Sequence, residues 1–392
     1  MKKNTILQVV RSVLMVSLLC FSFREGVCAE KKPYKIGLNI ELSGPVAFAG
    51  IEPRDAIVME VDRINKAGGI NGHPIELITE DNGCDPAKAA GALTKLVRQD
   101  KVVAVIGPIF AGISPTTAAL AEREKIPNII LCPSDRGSRE RRYKWVFFIP
   151  HNEVIVAQKI ADYMVQAGIK SAITFAANEP MWIDLAKGVK DFGTKKGITV
   201  VEFKETHGTT DVDTTPQLAK MKPVIEEKKI QVLVAATHGG MGAVIGKNMK
   251  TLGMTIPVIG SHAYGIPFTI SIGGDAVEGV KFPTEKVVVP HDLDPNEPHD
   301  KLVIDFCKRF EERYKKAATV WSANGHDAIH MLAKALAKSG NDRGKLRDVL
   351  ESQKGYVGTN GLFQYSATDH DGLDEKGLVW VEIRGGKFRL MR

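Results

Sequence analysis

Between Leu131 and Trp145 the sequence reads LCPSDRGSRERRYKW, an apolar end followed by a dense run of charge. Arg136 and Asp135 open that run. A guanidinium presents a planar fork of donors that meets a carboxylate through two parallel hydrogen bonds. Arg136 suits that role, and Asp135 either orients it or accepts from an ammonium group. Arg139, Arg141, Arg142 and Lys144 lie further along and are expected to be solvated or to face a partner. Other polar groups sit just past apolar runs: Ser114 in FAGISP, His238 in ATHGG, and His262 with Tyr264 in GSHAYG. Trp182 in AANEPMW offers an aromatic face. The N–H groups of Ala111, Gly112, Ile113 and Ser114 open a helix and can receive an anion; alternatively Ser114 is only its N-cap. The set is rich in donors, and Asp135 is its one evident acidic acceptor.

Catalytic patterns fail on inspection. THGG has the shape of an esterase oxyanion loop, but the chain carries no G-x-S-x-G elbow. GGMGAVIGKN places Ile245 where a dinucleotide fingerprint needs a small residue, and Asn248 where a P-loop needs Ser or Thr. HDLDPNEPHD reads as a surface loop, with calcium as its weak alternative. No CxxC or His/Cys cluster has metal spacing. No enzyme activity, metal or cofactor is expected.

The elements that would position these residues alternate. YKIGLNI is strand-like and ends in a Ser-Gly-Pro turn. Ile57, Val61 and Ile64 fall on one face of a helix that Gly68-Gly69 stop. HPIELITEDN is a second strand, and Asp85-Pro86 supplies an N-cap and an N1 proline for the next helix. VVAVIGP is a continuous apolar run, the pattern of a strand buried on both faces. The alternation continues with helices near 153–167, 184–197, 214–228 and 241–252 between the strands SAITFAA, TVVEFKE, VLVAA and PVIGS. Such βαβ units with right-handed crossovers make doubly wound, mainly parallel α/β layers. At least eight strands exceed one compact layer, so two lobes are expected. Ligands of open parallel sheets bind beyond the carboxyl ends of the strands, where the polar loops above fall.

The first 29 residues read differently. Lys2 and Lys3 precede an apolar stretch from Val9 to Phe23, and Val27 and Ala29 are small residues at signal-peptidase spacing. Residues 1–29 are expected to be a cleavable secretory signal. An anchor is the alternative, but the stretch is short and Arg11 interrupts it; neither Cys20 nor Cys28 follows a convincing lipidation motif. Removal lowers the formal charge from +7 to +4, too mild to indicate nucleic acid as a partner. Only Cys84, Cys132 and Cys307 remain, an odd number that leaves at least one free thiol.

IELSGPVAFAG, INKAGGINGHPIEL followed by EDNGCDPAKA, then VIGP, YGIP…GGDAVEG and GTNGLFQYSATDHDG, taken in order, resemble the periplasmic solute-binding proteins of branched-chain amino acid ABC transporters. The resemblance runs from about Tyr34 to Phe388 and implies the type I periplasmic-binding fold. That fold has two doubly wound, Rossmann-like lobes joined by three crossover segments and closing by hinge motion on a small solute. The crossovers would fall near Ile149, Pro283 and Gln364. Lobe one would be 34–148 plus 284–362, and lobe two 150–282 plus 366–392. The implied location is the periplasm, and the implied partners are the solute and the membrane permease subunits.

The implied site departs from the family in its chemistry. The carboxylate-holding loop after the third strand reads FAGISP here. Asp135 and Arg136 replace an Ala-Thr pair, Trp182 matches an aromatic, and His262 and Tyr264 stand where an acidic group holds the α-ammonium; His238 lies on a nearby loop. The family also pairs a Cys like Cys84 with one where this chain has Phe110, so that disulfide is not expected. These changes favour a small carboxylate, with an aromatic one stacking on Trp182. An amino acid whose ammonium meets Asp135 is the alternative, and a ligand-sensing receptor domain of the same fold is a third reading.

Overall fold

The computed structural model describes residues 31–134 and 136–391. The expected leader at 1–29, the expected site residue Asp135 and the side chain of Arg136 lie outside the described residues.

The first part of the chain alternates β1 (Tyr34–Ile40), α1 (Ala47–Lys66), β2 (Ile75–Asp81), α2 (Pro86–Arg98), β3 (Ala104–Ile106), α3 (Ser114–Glu124), β4 (Asn128–Ile130), α4 (Arg136–Arg141) and β5 (Val146–Phe148). The strands form a parallel sheet in the order β2-β1-β3-β4-β5. VVAVI, Val102 to Ile106, is buried throughout, as a strand covered on both faces must be. Helix starts follow local chemistry. The Asp85 carboxylate accepts the Lys88 N–H at 2.8 Å, with Pro86 at the first helical position. At α3 the expected Ser114 cap moves by one: Ile113 occupies the cap without a side-chain bond, and Ser114 is the first helical residue. The cause is a tight turn in which the Phe110 carbonyl takes the Ile113 and Ser114 N–H groups at 3.0 and 3.3 Å.

The chain then builds α5 (Glu153–Gln166), β6 (Ser171–Ala176), α6 (Pro180–Lys195), β7 (Thr199–Glu202), α7 (Thr215–Glu227), β8 (Val232–Ala236), α8 (Gly239–Thr251), β9 (Val258–Gly260), α9 (Pro267–Gly273) and β10 (Lys281–Glu285). Next come α10 (Pro298–Tyr314), α11 (Val320–Ser339), α12 (Arg343–Glu351) and the ribbon of β11 (Lys354–Val357) and β12 (Leu362–Gln364). α11, α12 and the ribbon return to the first sheet, where Ile329, Leu332, Leu336, Leu346 and Phe363 share a core with Ile36, Leu38, Ile106 and Phe147, while Val303, Phe306 and Phe310 of α10 pack in the core that holds Leu233 and Phe282. α11 approaches α1 so closely that a Cβ on Gly325 would lie 2.5 Å from the Pro53 carbonyl oxygen. β13 (Leu378–Ile383) and β14 (Phe388–Leu390) complete the second sheet, ordered β14-β13-β10-β9-β8-β6-β7. Its strands are parallel from β10 to β7, while β13 runs antiparallel to β10 and to β14.

The chain passes between the sheets after Phe148, after Glu285, and between Leu373 and Leu378. The sequence put the third passage near Gln364. Tyr365 and Leu373 instead pack in the first core, because the Tyr365 hydroxyl donates to the Phe148 carbonyl at 2.7 Å and Phe148 N–H to the His370 carbonyl at 2.9 Å. Thr284 and Glu285, assigned to lobe one from the sequence, end a strand of the second sheet.

Candidate ligand site at the crossings

The three passages meet at His151, three residues beyond Phe148, the last residue of β5. Its Nδ1 lies 3.2 Å from Glu285 Oε1 at the second passage. A Cβ on Gly377, at the third, would come within 2.7 Å of its Nε2. The neighbouring Asn152 caps α5 by accepting from Val154 and Ile155 N–H at 3.0 and 3.2 Å, and its amide donates to Asp371 Oδ2 at 3.0 Å. That cap fixes Glu153 as the first residue of α5 and turns it into the protein, where it is 2% exposed.

Glu153 is the unusual group. Both carboxyl oxygens are buried with no hydrogen-bond partner among the described residues. The nearest imidazole nitrogen, His262 Nδ1, is 3.9 Å from Oε2, too far for a hydrogen bond, and is itself without a partner. Burial pushes the Glu153 carboxyl up to about 8; Arg139 opposes this, and Asp184 and Glu285 add to it. Glu285 behaves oppositely. Burial alone would raise it, but the hydrogen bond with His151 and the adjacent imidazoles hold it below its ordinary value. Burial holds His262 down against the pull of Glu285. Thr284 braces the pair, its hydroxyl 3.2 Å from both Glu285 Oε2 and the His262 carbonyl oxygen. The cluster thus joins a paired, ionised carboxylate to an unpaired, largely protonated one at neutral pH. Leaving such a polar group unsatisfied in the interior costs about 1–3 kcal/mol. A ligand ammonium or hydroxyl placed between Glu153 and His262 would remove that cost.

The residues expected from sequence are distributed unevenly around this cluster. His262 belongs to it, and Trp182 packs beside it, with ring centroids 6.3 Å apart. Trp182 is only 4% exposed and forms part of a core with Leu185 and Val189, so it walls the cluster rather than presenting an open face. Tyr264 turns away into the second core against Phe282, and a Cβ on Gly242 would strike its ring at 2.2 Å. A ring locked under α8 cannot reach a ligand between the sheets. His238 caps α8: its Nδ1 accepts from Met241 N–H at 3.4 Å and its Nε2 meets the Thr209 carbonyl at 2.8 Å, which occupies both nitrogens. Arg139, expected to be solvated or to face a partner, is half-buried and donates to the Ser134 carbonyl at 2.5 Å, bringing a positive charge toward Glu153 and Asp371.

The loop after β3 remains at the rim. Glu41 accepts the Ile109 and Phe110 N–H groups at 3.1 and 3.2 Å and fixes it. Ala111 and Gly112 are exposed, and their N–H groups make no hydrogen bond among the described residues; Ile113 and Ser114 are buried, their N–H groups used by Phe110. Phe48 of α1 and Phe268 of α9 meet edge to face at 6.2 Å and connect the two sheet units.

His151, Glu153, Arg139 and Glu285 were missed from the sequence. The available signal was HNE directly after the apolar FFIP, a polar cluster beyond the carboxyl end of β5. Glu285 ends β10, whose sequence KFPTE carries no such signal.

Comparison with known proteins agrees with this architecture. Residues 33–386 match the family model described as periplasmic binding protein. The leucine-, isoleucine-, valine-, threonine- and alanine-binding protein of Pseudomonas aeruginosa is 25% identical over 348 residues, covering 88% of this chain and 86% of that one. The Leu/Ile/Val-binding protein of Escherichia coli K12 is 23% identical over 327 residues, 83% of this chain and 84% of its own. An extracellular ligand-binding receptor from Rhodopseudomonas palustris HaA2 superposes with a TM-score of 0.80 at 24% identity, over 92% of this chain and all of that one. An ABC transporter substrate-binding protein from Desulfitobacterium hafniense, in complex with Leu, gives 0.77 at 19% identity over 92% of this chain and 100% of that one. With a match that spans nearly the whole described chain and the same two-sheet framework, the protein belongs to the periplasmic binding protein family.

Proposed function

We propose that this protein is the exported substrate-binding component of an ABC importer and that its ligand is a small α-amino acid. The observation that carries the reading is the unpaired Glu153 carboxyl beside Glu285 and His262. In the sequence, Asp135 alone stands as an acidic acceptor, and that scarcity favours a plain carboxylate. Two buried glutamates at the crossings remove that scarcity. In this reading the ammonium lies against Glu153, with Glu285 adding negative potential. The carboxylate is met by the exposed Ala111 and Gly112 N–H groups of the loop after β3. The named ligands of the relatives, leucine among them, are of this class.

The reading includes removal of residues 1–29 on export, and permease subunits as partners. Among the described residues no helix is long and apolar enough to cross a membrane. Closure about the three passages would bring the rim over the solute. Thermal-shift and calorimetric titration against aliphatic amino acids, and against their deaminated acids and benzoate-type acids, tests the proposal. Binding of leucine-like amino acids with no response to the acids is expected. The reverse pattern would return the site to an organic carboxylate, with protonated Glu153 acting as donor.

A further inference from the structure

Away from the crossings, α1 and α11 bring a second set of polar groups together. Glu60, His326 and His330 each direct one ligand atom into a space where these atoms lie within 4.8 Å of one another. His326 and His330 are four apart on α11, so their rings lie along one face, with centroids 4.5 Å apart and planes tilted by 42°. Glu60 faces them from α1 and is fully buried. His326 Nδ1 lies 3.0 Å from Asp327 Oδ1. Asp327 is itself fixed by Thr359 N–H at 2.7 Å and Asn360 N–H at 2.9 Å. A carboxylate on one imidazole nitrogen leaves the other, Nε2, as a lone-pair donor of set orientation, the arrangement that supports metal-ligating histidines. His330 Nε2 stands 2.8 Å from Glu60 Oε2.

Two guanidiniums border the set. Arg63 Nε lies 2.6 Å from Glu60 Oε2 and its Nη2 3.1 Å from His330 Nε2, while Arg309 Nη2 lies 3.3 Å from Glu60 Oε1. A guanidinium only donates, so Arg63 reaches Glu60 Oε2 as a donor, and its Nη2 stands against the same His330 nitrogen that faces Glu60. Arg63 therefore occupies the place of a cation between two metal-type donors. It is also the replaceable member: its side chain is 51% exposed and leaves into water. Arg309 can stay on Oε1.

We propose that Glu60 Oε2, His326 Nε2 and His330 Nε2 form a binding site for a divalent transition cation of the zinc type, with Arg63 as its displaceable occupant. Two imidazoles and one carboxylate are a zinc donor set, and three protein ligands leave a position for water. The site opens onto a surface groove bordered by Ile64, Arg309, Lys334 and Tyr356, which gives a metal an entry path. It bridges helices of the first sheet's cover, so occupancy would clamp α1 to α11.

The test is calorimetric titration of the chelator-stripped full chain with zinc chloride, alongside His330→Gln, the His326→Gln/His330→Gln double variant and Arg63→Ala. Circular dichroism confirms the fold of each. The wild type is expected to take up one zinc per chain. His330→Gln should weaken uptake by more than the roughly 10–100-fold typical of losing an outer-shell partner. Arg63→Ala should bind at least as tightly as the wild type. No uptake by the wild type, equal uptake by folded His330→Gln, or weaker uptake by Arg63→Ala would each overturn the proposal. If the double variant does not fold, His330→Gln, at the more exposed histidine, decides.

Discussion

Replacing Glu153 by Gln should stabilise the ligand-free protein and cripple binding together. In the unfolded chain this carboxyl ionises near its ordinary value of 4.5, whereas in the fold burial pushes it up to about 8. Between these values the folded state holds a proton that the unfolded state has released. The contribution of Glu153 to stability is therefore fully present below 4.5 and is lost as pH rises toward 8. At about 1.4 kcal/mol per pH unit, the loss reaches roughly 3 kcal/mol by pH 7. Gln has the same shape and no proton to lose. Urea denaturation of variant and wild type should give stabilities that differ little near pH 5 and diverge by about 3 kcal/mol, in favour of Gln, by pH 7. In the same preparation, removing the charge that meets a buried ammonium should cost about 2–5 kcal/mol of affinity, measured by calorimetry with the amino acid that binds. A stability difference that stays flat between pH 5 and 7.5, or wild-type affinity in the variant, would refute the assignment of Glu153 as a buried acceptor.

Other changes separate the cluster from its surroundings. His151→Asn, which strips the partner from buried Glu285, should lower stability by about 3–5 kcal/mol in denaturant titrations at pH 7. Its effect should shrink at acid pH, because a carboxylate held below its ordinary value contributes stability that is lost as pH falls. Tyr264→Phe removes a buried hydroxyl that has no partner among the described residues, so stability should hold or rise and affinity should stay within about twofold; a large affinity loss would return Tyr264 to the ligand. Gly325→Ala should cost about 1–3 kcal/mol by melting, because the new Cβ meets the Pro53 carbonyl at the α1–α11 contact.

The fold was legible because its signals are local. The alternation of apolar strands with capped helices is written in runs such as VVAVI and in Asp85-Pro86, and the structure follows it within a few residues. The third passage was misplaced because nothing in FQYSATDHDG announces that the Tyr365 hydroxyl and the His370 carbonyl bond back to Phe148. The site was harder to read. His262 was found because it ends a strand in an exposed-looking turn, but the same rule put Tyr264 beside it, and a two-residue step turned that ring into the core. His238 obeyed the rule by position and was consumed by capping. Glu153 was passed over because a Glu at a helix start is usually solvated, and its burial depends on three chain passages that come together only in the fold.

The most direct measurement is the proton count of binding. Calorimetric titration with leucine or the best amino acid from the panel, at pH 6.5 in buffers of different ionisation enthalpy, gives the protons exchanged per ligand. If an ammonium lodges against Glu153, the carboxyl must ionise, and binding should release close to one proton, a release that disappears in Glu153→Gln. Tight binding with no proton exchanged, or with uptake of one, would contradict an ammonium at Glu153.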